Sequence, residues 1–134
     1  MESEASTIGP KVVATIDPET EPGLRSVVSY TPDSYTINYI RSDVRDQYSS
    51  EQIETAIDEL RLATMQRDHL NSVFKDVHGE FYSDITAFED AIEFNFVITD
   101  GRGVEVAFDR DTFPNQRSVI DEIQTVITDT QTRE

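Results

Sequence analysis

The clearest pattern in the chain lies between residues 81 and 108. From Ile92 the apolar side chains take every second position, Ile92, Phe94, Phe96 and Ile98, with Glu93, Asn95 and Thr99 among them. After Asp100-Gly101-Arg102-Gly103 the alternation resumes with Val104, Val106 and Phe108. A period of two predicts strands with one buried and one wet face. That sets Phe94 and Phe96 inward and Glu93 and Asn95 outward. The short glycine-containing break predicts a hairpin. Residues 81–87 form a third, weaker run, turned into the next strand at Phe88-Glu89-Asp90. The expected product is a three-stranded antiparallel meander with one apolar face.

Two further strands are predicted upstream, over LRSVVSY (residues 24–30) and YTINYIR (residues 35–41), both rich in Val, Ile, Tyr and Thr. Thr31-Pro32-Asp33-Ser34 between them has the chemistry of a tight turn. On the second strand Tyr35, Ile37 and Tyr39 are expected to share one face. Residues 42–48 read as a loop. Ser49 and Gln52 then form a capping box ahead of Ile53, Ala56, Ile57 and Leu60 at helical spacing. A bend is expected at residues 63–66. A second helical piece follows over 68–75, capped by Asp68 and carrying Leu70, Val73 and Phe74. Pro114 is expected in the first turn of a last helix. There Val119, Ile120, Ile123, Val126 and Ile127 make an amphipathic stripe.

The order is ββαβββα. It predicts an α+β single domain over residues 24–128, with an antiparallel sheet of about five strands and two amphipathic helices on its apolar faces. Residues 1–23, with Gly9, Pro10, Pro18, Pro22 and Gly23, read as a flexible acidic arm, within which 11–16 is a candidate strand. Residues 129–134 read as a polar tail.

Composition adds one strong feature. The chain carries 27 acidic residues against 11 basic, a net charge of -16, with Lys11 and Lys75 as its two lysines. Cysteine is absent, which excludes disulfides and thiolate metal sites. This combination resembles proteins of extreme halophiles, specifically haloarchaea. At molar salt the Debye length falls to ~3 Å, which nearly abolishes repulsion across such a surface. Acidity is then a solvent adaptation and not a binding patch. No apolar run approaches the ~18 residues of a membrane span, and MESEASTIGP lacks the pattern of a signal peptide. A soluble cytoplasmic protein is expected.

The element order resembles roadblock-type and longin-type domains, in which the last strand pairs with the first, and implies a sheet order of 2-1-5-4-3. PAS-like and profilin-like sensor folds are looser neighbours. LRSVVSY, YTINYIRSDV, DELRL and HG followed by FED resemble a family of short, uncharacterised haloarchaeal proteins over roughly residues 24–127. That resemblance implies no activity and leaves the arm outside it.

Candidate chemistry is sparse. Arg41 and Arg45 have the geometry to grip a phosphate or carboxylate, and Asp43 and Asp46 beside them offer the plainer alternative of local ion pairs. His69 and His78 with Asp68, Asp76 and Glu80 lack the spacing of a metal site. Gly101-Arg102-Gly103 joins two strands, whereas a phosphate loop leads into a helix. No nucleophile elbow occurs, and no basic stripe matches nucleic acid. The function expected is a non-catalytic interaction or regulatory module acting as a homodimer. Its candidate surface is Tyr35, Ile37, Tyr39, Arg41 and Arg45, and its partner a second copy or another protein, with no cofactor, nucleic acid or membrane. The alternative is a small-ligand sensor with a pocket between sheet and helices.

Overall fold

Five strands form one antiparallel sheet: Leu24–Tyr30 (β1), Tyr35–Ile40 (β2), Ser83–Ala87 (β3), Ala91–Thr99 (β4) and Arg102–Asp109 (β5). They appear in a computed structural model describing residues 4–115 and 117–132, with side chains for 7–112 and 121–130. The strand order is β2-β1-β5-β4-β3, so β1 and β5 pair at the centre and β2 and β3 are the edges. Phe94 lies opposite Val106 and Ile92 opposite Phe108, which puts all four on one face with Leu24, Val27 and Phe96. The predicted α+β domain with a five-stranded sheet is the observed one.

Two helices cover that apolar face, Glu4–Ile16 (α1) and Arg117–Thr132 (α5). Ile123 and Ile127 of α5 are buried; the expected partners Val119 and Ile120 lie outside the described side chains. Helix α1 corrects the reading of residues 1–23 as a flexible arm with a candidate strand. Ile8, Val12 and Ile16 repeat every fourth residue, so a helix puts them on one side, and all three are buried in the core. Pro10 sits inside this helix on an exposed position, where it removes a single backbone donor. Gly9 is needed for close approach, because a Cβ there would run into the Asn38 side chain of β2. At the other end α5 continues through the expected polar tail to Thr132, and Thr130 is buried with its hydroxyl on the Val126 carbonyl at 2.8 Å.

The opposite sheet face is also covered, which is the second correction. Helix Ser50–Thr64 (α3), opened by the predicted Ser49–Gln52 capping box, lies across it together with the short helix Ser42–Arg45 (α2), which stands where a loop was expected. Asn95 and Glu105 are therefore buried and Glu93 half-buried. Polar contacts fix the C-terminal end of α3. Arg61 donates to the carbonyls of Thr31 at 2.8 Å and Ser34 at 2.9 Å. Asn95 Nδ2 reaches the Leu60 carbonyl at 3.2 Å, and the Gly101 N–H donates to Thr64 Oγ1 at 2.7 Å.

Helix Arg67–His78 (α4) follows the predicted bend. Its N-cap is Gln66, so Asp68 falls within the first turn and does not cap it. No residue of α4 is buried. A 3-10 helix, Arg110–Asn115, contains Pro114 ahead of α5.

Candidate functional site

Between α3, α2 and the sheet lies a cavity of about 450 Å³. Among the described residues, the hydrogen bonds between α3 and the sheet side are at its C-terminal end, while apolar packing alone holds its first half. The bonds of Arg61, Leu60 and Thr64 hold its last turns to the sheet, while its first turns face the cavity through Ile53, Ala56 and Ile57. Val28 and Ile37 from the sheet and Val44 from α2 complete an apolar wall. Small side chains keep the space open: Ala91 and Ala107 line it from β4 and β5.

The floor is acidic. Glu105 on β5 is 8% exposed and Glu93 on β4 is half-buried, and both line the cavity. Ser26 on β1, itself buried, donates its hydroxyl to Glu105 at 2.9 Å from Oε1 and 3.1 Å from Oε2. Burial pushes the Glu105 carboxyl up to about 8; the Glu93 charge adds to this, and the Ser26 bond and Arg25 partly offset it. Burial likewise raises Glu93, against the pull of Arg25. Carboxyls shifted by burial inside a cavity are the usual marks of a functional site. Tyr48 and Phe88, both exposed, also line the cavity.

Beside the cavity is an ion cluster. Arg41 holds Asp109 with two contacts at 2.8 and 2.9 Å, reaches Asp43 at 2.6 Å and donates to the Pro22 carbonyl at 2.8 Å. Its bonds hold the Asp109 carboxyl below the usual range and raise the guanidinium further. Arg25 adds a contact to Asp109 at 3.1 Å. Arg41 thus clamps the ends of β2 and β5 to the loop before β1, the plainer of the two readings given above.

The five expected interaction residues do not form one surface. The β1–β2 pairing shifts between Val27 and Val28: Val27 faces Tyr39 and Val28 faces Ile37, leaving Asn38 as an extra residue. Such a bulge reverses the alternation. Tyr35 and Ile37 therefore pack beneath α3, while Tyr39 packs against the core under α1. Arg41 is engaged as described, and Arg45 is exposed on α2. His69 and His78 lie exposed on α4, His78 stacked on Phe74 at 5.6 Å between ring centroids.

A family model, described as a domain of unknown function (DUF7522), matches residues 10–128. The chain belongs to the DUF7522 family. The match begins within α1, upstream of LRSVVSY, and it takes in all of the cavity's walls. Neither curated proteins nor solved structures yield a match.

The residues that sequence reading missed are Ser26, Glu93 and Glu105. Glu93 and Glu105 occupy strand positions taken for a solvated face, and Ser26 lies on a strand whose faces the pattern left unassigned. The available signal was Gly103 and Ala107 on that same face. A Cβ at Gly103 would meet the Phe96 carbonyl at 2.6 Å and the Tyr30 ring, so this face carries packed layers and not water.

Proposed function

We propose that this domain is a small-molecule-binding sensor whose ligand enters between the sheet and α3. The observation that carries this is the cavity itself. Its volume of about 450 Å³ lies within the ~300–1,000 Å³ range of small-ligand pockets. Apolar walls around a few convergent polar groups are what such pockets need. Indole and cyclohexanol, titrated in 1H–15N spectra, should shift the amides of Ser26, Glu105 and Ala107 saturably. Ala56→Trp, placed on the exposed side of the cavity wall, should abolish those shifts while the fold persists. Shifts scattered over the surface, or none, would overturn the reading.

A second reading is self-association, and α4 favours it. Val73, Phe74 and Val77 are 54%, 45% and 80% exposed on that helix, with Leu62 and Met65 exposed before it. A soluble monomer rarely leaves such a stripe bare. Light scattering should show a dimer that Val77→Asp converts to a monomer. A wild-type monomer at high concentration would end this reading.

We further propose that the chain works in the cytoplasm of a haloarchaeon. The net charge of -16 on 134 residues supports this. Among the described residues no helix is long and apolar enough to cross a membrane. Screening of surface repulsion should raise the melting temperature steeply from dilute buffer to molar KCl. An unchanged melting point by circular dichroism would contradict a halophilic origin.

A further inference from the structure

We propose that the cavity selects a small organic cation, a compact apolar body bearing one ammonium group held by Glu105 and Glu93. This rests on the ligand-binding reading above and adds the ligand's class. Four carboxylates line the cavity, Glu89, Asp90, Glu93 and Glu105, against one guanidinium, Arg25. That guanidinium is already engaged with Asp109 at 3.1 Å and Gln47 at 3.3 Å. An anionic ligand would meet an uncompensated acidic floor.

Hydrogen-bond capacity points the same way. An ionised carboxylate accepts about four hydrogen bonds. Glu105 receives one hydroxyl, from Ser26, shared between its two oxygens. An ammonium brings three donors and a charge, which is what a buried carboxylate lacks. A bare metal ion fits less well: among the described residues no group of three or more His, Asp or Glu side chains is placed to hold one. The apolar wall of Val28, Ile37 and Ile53 calls for an organic body instead. Tyr48 and Phe88 put aromatic side chains at the exposed side, and aromatic rings attract cations.

Binding is coupled to a proton. The groups that act on Glu105 are Ser26 and Arg25 on β1 and Glu93 on β4, and Tyr30 on β1 and Tyr48 ahead of α3 also feel its charge; Glu89 and Asp90 in the β3–β4 turn line the same cavity, to which α3 offers only apolar side chains. With one engaged cation among them, Glu105 retains its proton until a ligand ammonium replaces it. Affinity for an ammonium therefore rises with pH as Glu105 titrates.

Cyclohexylammonium, cyclohexanol and cyclohexanecarboxylate share one ring and differ in charge. Each would be titrated into the full chain by 1H–15N spectroscopy at about pH 6 and about pH 8.5. The ammonium should bind ~tenfold or more tightly than the alcohol, as a charge-assisted bond implies. It should gain several-fold at the higher pH, and Glu105→Gln should remove the preference while cyclohexanol still binds. If the alcohol or the carboxylate binds as well or better, the cation assignment is overturned and the cavity reading stands. If none of the three shifts the amides of Ser26, Glu105 and Ala107, both fall together.

Discussion

Phe94→Ala should destabilise the domain by ~3–5 kcal/mol, the usual cost of removing a buried phenylalanine. Phe94 is fully buried on β4, between β5 and β3. Its ring stacks on Phe96 at 6.1 Å and meets the edge of Phe108 at 5.9 Å. Strands on both sides and the other side chains of the buried cluster leave little room for collapse, so the cavity term persists. Against a typical total stability of ~5–15 kcal/mol the loss is large. The neighbouring Asn95 gives the informative contrast. Alternation alone predicts a solvated residue and a negligible effect. The structure instead buries Asn95, with the Tyr30 hydroxyl donating to its Oδ1 and its Nδ2 donating to the Leu60 carbonyl. Asn95→Ala strands a buried hydroxyl and should cost ~1–3 kcal/mol. Glu54→Ala on the exposed face of α3 should stay within ~0.5 kcal/mol. Urea midpoints would rank the three. An Asn95→Ala variant as stable as Glu54→Ala would mean that α3 does not cover this face.

The sheet was legible because its strands carry period-two alternation and its turns carry turn chemistry. Leu24–Tyr30 is strand over the predicted span, and the capping box at Ser49 is present with both of its bonds. Helix α1 was not legible because local propensity and tertiary packing disagree there. Gly9 and Pro10 are helix breakers in isolation. Burial of Ile8, Val12 and Ile16 against the sheet outweighs them, and Gly9 is favoured by the approach to Asn38. The four-residue spacing of those three residues was the overlooked signal.

The site was less legible than the fold, for two physical reasons. A half-polar strand pattern does not distinguish water from a covering helix that stands off the sheet, so Glu93 and Glu105 read as solvated. Single-residue bulges also break the face assignments that alternation supplies. Asn38 turns Tyr39 away from Ile37, and Arg25 is passed over between Leu24 opposite Phe108 and Ser26 opposite Ala107. A bulge depends on both partner strands, so one strand's pattern does not reveal it.

Glu105 makes stability fall as pH rises, the reverse of what paired surface carboxylates do. Its carboxyl is raised from 4.5 to about 8, by burial first and the Glu93 charge second. The folded state therefore holds the proton more tightly than the unfolded state. That contribution is fully present below about 4.5 and is lost as pH rises through about 8. Glu93 is raised by burial too, so the two titrate as a pair. Asp109 acts in the opposite sense: Arg41 holds it low, and its contribution disappears as pH falls through the carboxylate range. Stability should peak in mildly acidic solution, near pH ~5, and decline by a few kcal/mol by pH ~9, with an upper bound near ~5 kcal/mol. Glu105→Gln keeps the shape and an acceptor for Ser26 but has no proton to lose. It should match the wild type near pH ~5 and exceed it by ~2–4 kcal/mol near pH ~9. Glu93→Gln should flatten the decline in part, by removing the second charge. Urea unfolding across this range would decide it. A wild type whose stability rises steadily with pH would refute a buried protonated Glu105, as would a Glu105→Gln curve parallel to the wild type's.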